Sequence, residues 1–383
     1  MKQKDYARKS LDGLWVGDCI GNLGQLYFVH DILKALEGGL AKFGGHLDKF
    51  QKQFQYSDDT EEAIVLFNHI VNSNGMVHQD QLTMEFATRY MERDPDGEIY
   101  GYGLNTRKVL RDIYEGVPWR EANKFIKKAE GMSSHVDSLV DSLSKGKDFK
   151  AAIHEVNLVL ERQKKGDEGK ALVGSCGNGS AMRVAPLGAY AGSNFQGDFP
   201  VCLTSPQKLV ELATLQAEPT HEHPEGIAGA CAVALASYFL VSTDKFEAMF
   251  DYWPGDTDGL TKDDIGRAYL DHILTYLPDS EVKKGIERAK TIAYTTPVGK
   301  VIEVLGNGTH VTCQDTVPFC CYMASKALCR FPKEERYERA IIETSMAFGD
   351  VDTNCAIVGG IIGTISPPPE KWIKFCQPME GVV

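Results

Sequence analysis

The stretch that most limits what this chain can become is FGDVDTNCAIVGGIIGT, residues 348–364. Asp350 and Asp352 stand one residue apart, Thr353 follows, and Ala356 to Gly363 then run without a charge. Such a run suits a buried helix and is too short to cross a bilayer. Each glycine in a helix interior costs about 1 kcal/mol relative to alanine, so Gly359, Gly360 and Gly363 imply close packing against another backbone. The acidic head sets hard oxygen donors at the positive end of the helix dipole. The dipole alone would favour an anion, but gathered carboxylates repel one another, and a cation relieves that. A capped helix start, with Asp and Thr as caps, is the plain alternative for this segment viewed alone.

Helical periodicity continues along most of the chain. Residues 5–20 carry Leu11, Leu14, Trp15 and Ile20 at helical spacing, with the glycines of GDCIGN at the end. Leu33–Leu40 suggests a short amphipathic segment. DDTEEAIVLFNHIVNS, from Asp58, predicts a strong helix: acids in the first turn, then Ala63, Ile64, Leu66, Phe67 and Ile70 on one stripe. Further helices are expected over Leu82–Met91 and Arg107–Tyr114, from Pro206, after Pro224, and from Asp264, Ser280, Thr316 and Glu335. Residues 131–170 differ, being polar and rich in Lys and Ser, with Val136, Leu139, Val140 and Leu143 at helical spacing. They suggest an exposed helical insertion. Strand-like alternation is nearly absent and no linker divides the chain, so one all-α domain over residues 1–383 is expected.

Charge and cysteine usage narrow the possible functions. A net charge of −12 argues against general nucleic-acid binding, which needs a basic face. It also opposes anionic ligands at long range, so any phosphate recognition must be local. The ten cysteines show no CxxC spacing and several sit in apolar runs, the pattern of buried thiols in a reducing compartment. The first residues hold no apolar signal core and no run is expected to span a membrane, which gives a cytoplasmic expectation.

Tyr56-Ser57-Asp58-Asp59-Thr60 is a second acidic cluster at the head of a helix. One such cluster is ordinarily a helix cap. Two with the same chemistry are better explained as halves of one site. Asp58, Asp59, Asp350 and Asp352 bring four negative charges, enough to neutralise two divalent cations. Oxygen donors without His or Cys favour Mg²⁺, Mn²⁺ or Ca²⁺ over zinc. The segment GSCGNGSAMR, from Gly174 to Arg183, is dense in glycine, which lets backbone N–H groups approach an anion. It lacks the lysine of a P-loop and follows no strand; a tight connection between helices is its plain reading. Thr220-His221-Glu222-His223-Pro224-Glu225 sets two histidines on a polar turn before a helix whose first turn accepts the proline. Leu305-Gly306-Asn307-Gly308, ahead of Asp315-Thr316-Val317-Pro318, is another glycine loop before a helix.

These elements, in this order, resemble the ADP-ribosylglycohydrolase family, also called the dinitrogenase-reductase-activating glycohydrolase family. The resemblance covers most of the chain. It rests on GDCIGN at Gly17, YSDDTEEA at Tyr56, GNGSAMRVAPLG at Gly177, THEHPEGIAG at Thr220, LGNG…TVP at Leu305 and GDVDTN at Gly349. It implies a single orthogonal all-α globule with two Mg²⁺ ions, or Mn²⁺, in a central cleft. It implies removal of ADP-ribose from modified proteins, or cleavage of related conjugates, with nucleic acid entering only as a modified substrate. The implied metal ligands are Ser57, Asp58, Asp59, Asp350, Asp352 and Thr353. Gly177, Asn178, Gly179, Ser180 and Met182 would lie along the ligand, with His221, His223, Gly306 and Gly308 near it. The roles of Asp18 and Gln25 are left open.

This chain departs from the family pattern in two places. Many relatives carry a Glu a few residues beyond GD-x-x-G, near the metals, where this chain has Gln25. A neutral amide cannot act as a base, so catalysis would fall on Asp58 or Asp59, as in relatives that act on arginine conjugates. The other departure is the 131–170 insertion, which could be a lid, a partner-binding arm or decoration. The implied reaction passes through an oxocarbenium-like transition state, with metals holding ribose hydroxyls and a water and an aspartate accepting its proton. The rival reading is a catalytically silent ADP-ribose binder, or an immunity-type protein that occludes an ADP-ribosylating toxin. The complete acid pairs count against it.

Overall fold

The computed structural model of the protein describes residues 3–24, 54–123, 174–193, 205–242 and 261–383. Gln25, the segment Leu33–Leu40 and the 131–170 insertion lie outside the described residues. Among the described residues every regular element is a helix, and β-pairing is limited to two isolated bridges, Phe54 with Cys376 and Gly177 with Thr312. The fold is all-α, as the periodicity predicts.

In chain order, α1 covers Gln3–Gly24, α2 Asp58–Asn72, α3 Gln79–Arg93 and α4 Leu104–Tyr114. Then come α5 Ala185–Gly192, α6 Pro206–Ala217, α7 Pro224–Ser242 and α8 Lys262–Tyr276. The last four long helices are α9 Glu281–Thr291, α10 Cys313–Arg330, α11 Arg336–Ser345 and α12 Val351–Gly363. Ser57, Ser205, Thr261 and Ser280 each accept a first-turn N–H through the side chain, which fixes where α2, α6, α8 and α9 begin.

The central contact is α1 against α12. The sequence places the glycines of GDCIGN at the end of the first helix, but α1 continues through them to Gly24. Gly13, Gly17 and Gly21 recur every four residues on one face, and that face lies on the α12 backbone. A Cβ on Gly13, Gly17 or Gly21 would strike Gly359, Cys355 and Val351 respectively, and one on Gly359 or Gly363 would strike Gly13. Close approach, not a chain break, is what these glycines provide. The Ser10 hydroxyl donates to Gly360 O at 2.7 Å, and the Tyr337 hydroxyl donates to Gly13 O at 2.5 Å across the same seam.

Helix α7 corrects the expectation that no run could span a membrane. By length and composition its 19 residues suffice, yet 83% of its apolar window is buried. Its Ala- and Gly-rich surface packs against α5, α6, α8 and α10, with Gly188 of α5 directly on the Ala234 backbone. It is a core helix.

Candidate metal centre

The register of α1 on α12 and the start of α2 bring three acids together. Asp18, between Gly17 and Cys19 on α1, is fully buried. Its Oδ2 accepts the Ser57 N–H at 2.9 Å, the Thr60 N–H at 3.2 Å and the Thr60 hydroxyl at 2.5 Å. Its Oδ1 accepts the Ser57 hydroxyl at 2.8 Å. First-turn N–H groups find no partner inside their own helix, so an acid from α1 serves as a second cap for α2. Ser57 Oγ accepts the Asp59 N–H at 3.2 Å and lies 2.9 Å from Asp59 Oδ2. Thr353 Oγ1 donates to the same Oδ2 at 3.4 Å.

The donors run out before the acceptors do. Ser57 has one hydroxyl proton for two carboxylates, and Asp59 Oδ1 is buried without a hydrogen-bond partner. One carboxylate oxygen each from Asp18, Asp59 and Asp352 lie within 4.8 Å of one another. Burial, then the Asp352 charge, lifts Asp18 to about 7. Burial, then Asp18, Asp352, Asp58 and Asp350, pushes Asp59 well above the usual carboxylate range. Burial, then Glu62, Asp352, Asp18 and Asp350, does the same to Asp58. Asp350 is raised by burial and by Asp352, against an opposing hydrogen bond from Asn178. The largest charge effects on these four acids all come from other carboxylates. A buried unpaired oxygen, surplus acceptors and unrelieved charge are what a hard divalent cation would satisfy, and the all-oxygen donor set fits one.

Ser57, Asp59, Asp352 and Thr353 thus meet at one point, and Asp18, whose role the sequence leaves open, joins them. Asp58 is half-buried and is not part of the close triad, although the charges of Asp18 and Asp352 reach it. Its N–H donates to Tyr100 O at 2.8 Å, and a Cβ on Gly101 would lie 3.9 Å from its Oδ1. Asp350 is at the N-cap position of α12 but makes no side-chain cap bond there. It accepts instead from Asn178 Nδ2 at 2.6 Å. The capped-helix reading therefore accounts for Ser57 and not for Asp350.

The glycine loop differs in detail from its expected use. The Gly177 N–H donates to Ser175 Oγ at 3.0 Å and the Asn178 N–H to Val311 O at 3.2 Å, so neither is available to an anion. The Ser180 hydroxyl donates to Gly226 O at 2.8 Å, and Met182 is buried. The His221 ring lies on this loop: a Cβ on Gly179 would be 2.8 Å from its Cε1. His221 is buried, with Nδ1 2.8 Å from Thr220 Oγ1, and burial followed by the Arg183 charge lowers it to about 3, so the ring is neutral. His223 Nδ1 accepts the Glu225 N–H at 3.0 Å at the start of α7. Gly306 (φ +83°) and Gly308 (φ +84°) turn the chain over Asp315 and Asp350, where side chains would collide. Beside Asp350 a cavity of about 390 Å³ opens between the segments 308–311 and 348–351.

Three residues of this region carry no role in the sequence reading. Thr60 holds Asp18. Thr316 accepts from Asn178 Nδ2 at 3.0 Å. Arg183 is buried and donates to Glu62 Oε2 at 2.7 Å, Gln216 Oε1 at 2.8 Å and Thr220 Oγ1 at 3.0 Å. A signal was present for each: of the four Asp-Thr pairs, at 59–60, 256–257, 315–316 and 352–353, three fall in the acidic or glycine-loop motifs, and one arginine interrupts the apolar run AMRVAP.

The model of the family described as ADP-ribosylglycohydrolase matches residues 1–378. A solved structure described as an ADP-ribosylglycohydrolase-related protein complex is similar at 17% identity, covering 98% of this chain and 93% of that chain, with a TM-score of 0.48. No curated protein matches.

Proposed function

As the chain belongs to the ADP-ribosylglycohydrolase family, we propose that it is a Mg²⁺-dependent hydrolase that removes ADP-ribose from modified protein side chains, arginine above all. The observation that carries this reading is the buried, partnerless Asp59 Oδ1 beside the carboxylates of Asp18 and Asp352. Two Mg²⁺ ions, or Mn²⁺, would be held by Asp59, Asp352, Asp58 and Asp350, with the hydroxyls of Ser57 and Thr353. When bound they would hold ribose hydroxyls and a water and lower the pKa of that water.

The chain's own residues then divide the work. Asp18 fixes Ser57 and Thr60, and through them the start of α2. Of the two acids at the head of α2, Asp58 lies outside the close triad and is half-buried, so Asp58 rather than Asp59 would take a proton from the attacking water, through the carboxylate oxygen not committed to an ion. The neutral His221, against Gly177 and Gly179, flanks the ligand without adding charge. The nine described cysteines are buried and none of them is in a disulfide, which supports placing the protein in a reducing, cytoplasmic compartment.

The test is release of ADP-ribose from an ADP-ribosylarginine peptide. The parent should turn over only with Mg²⁺, and Asp59→Asn should abolish turnover while helical content is kept. A parent that binds ADP-ribose tightly yet is inert on arginine, serine and nucleotide conjugates would overturn the hydrolase in favour of the silent binder.

A further inference from the structure

Asn178 has no donor left for a ligand. Its Nδ2 lies 2.6 Å from Asp350 Oδ2 and 3.0 Å from Thr316 Oγ1, which uses both amide protons. Its backbone N–H donates to Val311 O, and its carbonyl accepts from Ala181 and Met182. The NH₂ end of the amide faces Asp350, the orientation that suits a carboxylate kept ionised by a bound cation, which can only accept. Asn178 is 3% exposed, and Thr316 beyond it is wholly buried.

Asp350 is the acid that needs such a partner. It is half-buried beside the cavity and makes no side-chain cap bond to the first turn of its own helix. We propose that Asn178 is a positioning residue of the metal centre. By occupying Asp350 Oδ2 it leaves Oδ1 as the oxygen offered to a divalent cation, with Thr316 bracing the amide from the other side. The glycine loop thereby acts on the acids through Asn178, and its anchored N–H groups make the loop a rigid mount. This rests on the reading of the acids as cation ligands.

The experiment is calorimetric titration of Mn²⁺ into the full chain and three variants. Removing an outer partner of a metal-ligating carboxylate typically weakens affinity about 10–100-fold. Asn178→Ala should therefore bind Mn²⁺ at least about ten-fold more weakly, and Thr316→Val should shift the same way by a smaller factor. Ser180→Ala deletes a buried hydrogen bond in the same loop that does not touch an acid. It should lower the melting temperature and leave Mn²⁺ affinity at the parent value. Parent affinity in both Asn178→Ala and Thr316→Val would overturn the proposal, as would equal weakening in Ser180→Ala, which would mark a merely structural loop. If Asn178→Ala does not fold, Thr316→Val decides. A parent that takes up no Mn²⁺ would overturn the cation reading itself, and this inference with it.

Discussion

Asp18 and Thr60 meet at 2.5 Å although they belong to different helices, and the same carboxylate oxygen of Asp18 also takes the Thr60 N–H. An acid buried among acids is thereby put to structural use, closing the start of α2 from outside.

Asp18→Ala should therefore destabilise the fold. It leaves the N–H groups of Ser57 and Thr60 without their acceptor at roughly 1–3 kcal/mol each, so about 2–6 kcal/mol is expected in urea unfolding. Asp18→Asn keeps one carbonyl oxygen and should cost less. An alanine variant as stable as the parent would refute the cap.

Asp352→Ala removes one corner of the close triad. Calorimetry with Mg²⁺ should show lower affinity or lower stoichiometry than the parent, because a coordination position opens and the charge balance changes. Unchanged binding would remove Asp352 from the centre.

The acids also set a pH dependence. Asp18 titrates at about 7 in the folded chain against about 3.9 when unfolded. The native state thus holds more protons than the unfolded state in that window, and stability falls as pH rises from about 4 to about 7. Asp58, Asp59 and Asp350 act in the same direction. A cation keeps the acids ionised without that loss, so the melting-temperature gap between samples in Mg²⁺ and in EDTA should widen with pH. A gap that stays constant from pH 5 to about 8 would count against the linkage.

Two glycines should respond oppositely to alanine. At Gly17 the new Cβ meets the Cys355 carbonyl; overpacking of about 1–3 kcal/mol outweighs a gain of about 1 kcal/mol in helix propensity. At Gly299, in the exposed helix Val298–Leu305, nothing lies within 4 Å. There Ala should stabilise by about 0.4–1 kcal/mol. Thermal unfolding of the pair separates close approach from mere flexibility.

The acids of α2 and α12 were legible because each cluster is contiguous in sequence and heads an apolar helix. The need for close backbone packing was legible in Gly359, Gly360 and Gly363, but the partner was not. Asp18 reaches Ser57 across 39 residues, and Asn178 reaches Asp350 across 172. Such pairings are created by the register of α1 on α12 and by the loop's anchoring to Val311, which no local pattern encodes. The loop shows the converse. Its glycines advertised free N–H groups, while Ser175 and Val311 had already claimed two of them.

Where Gly13, Gly17 and Gly21 meet α12, the seam holds no side chains that could be traded for smaller ones. Interfaces built from Leu and Val drift over generations as volumes are exchanged across them, and the helices they join slide apart or rotate. Gly13, Gly17 and Gly21 resting on the opposite backbone leave nothing to exchange. A side chain grown at any of these glycines would instead push α1, which carries Asp18, away from α12, which carries Asp352. The distance between those two acids is thus gauged by backbone resting on backbone, and no compensating change of side-chain size could restore it once lost.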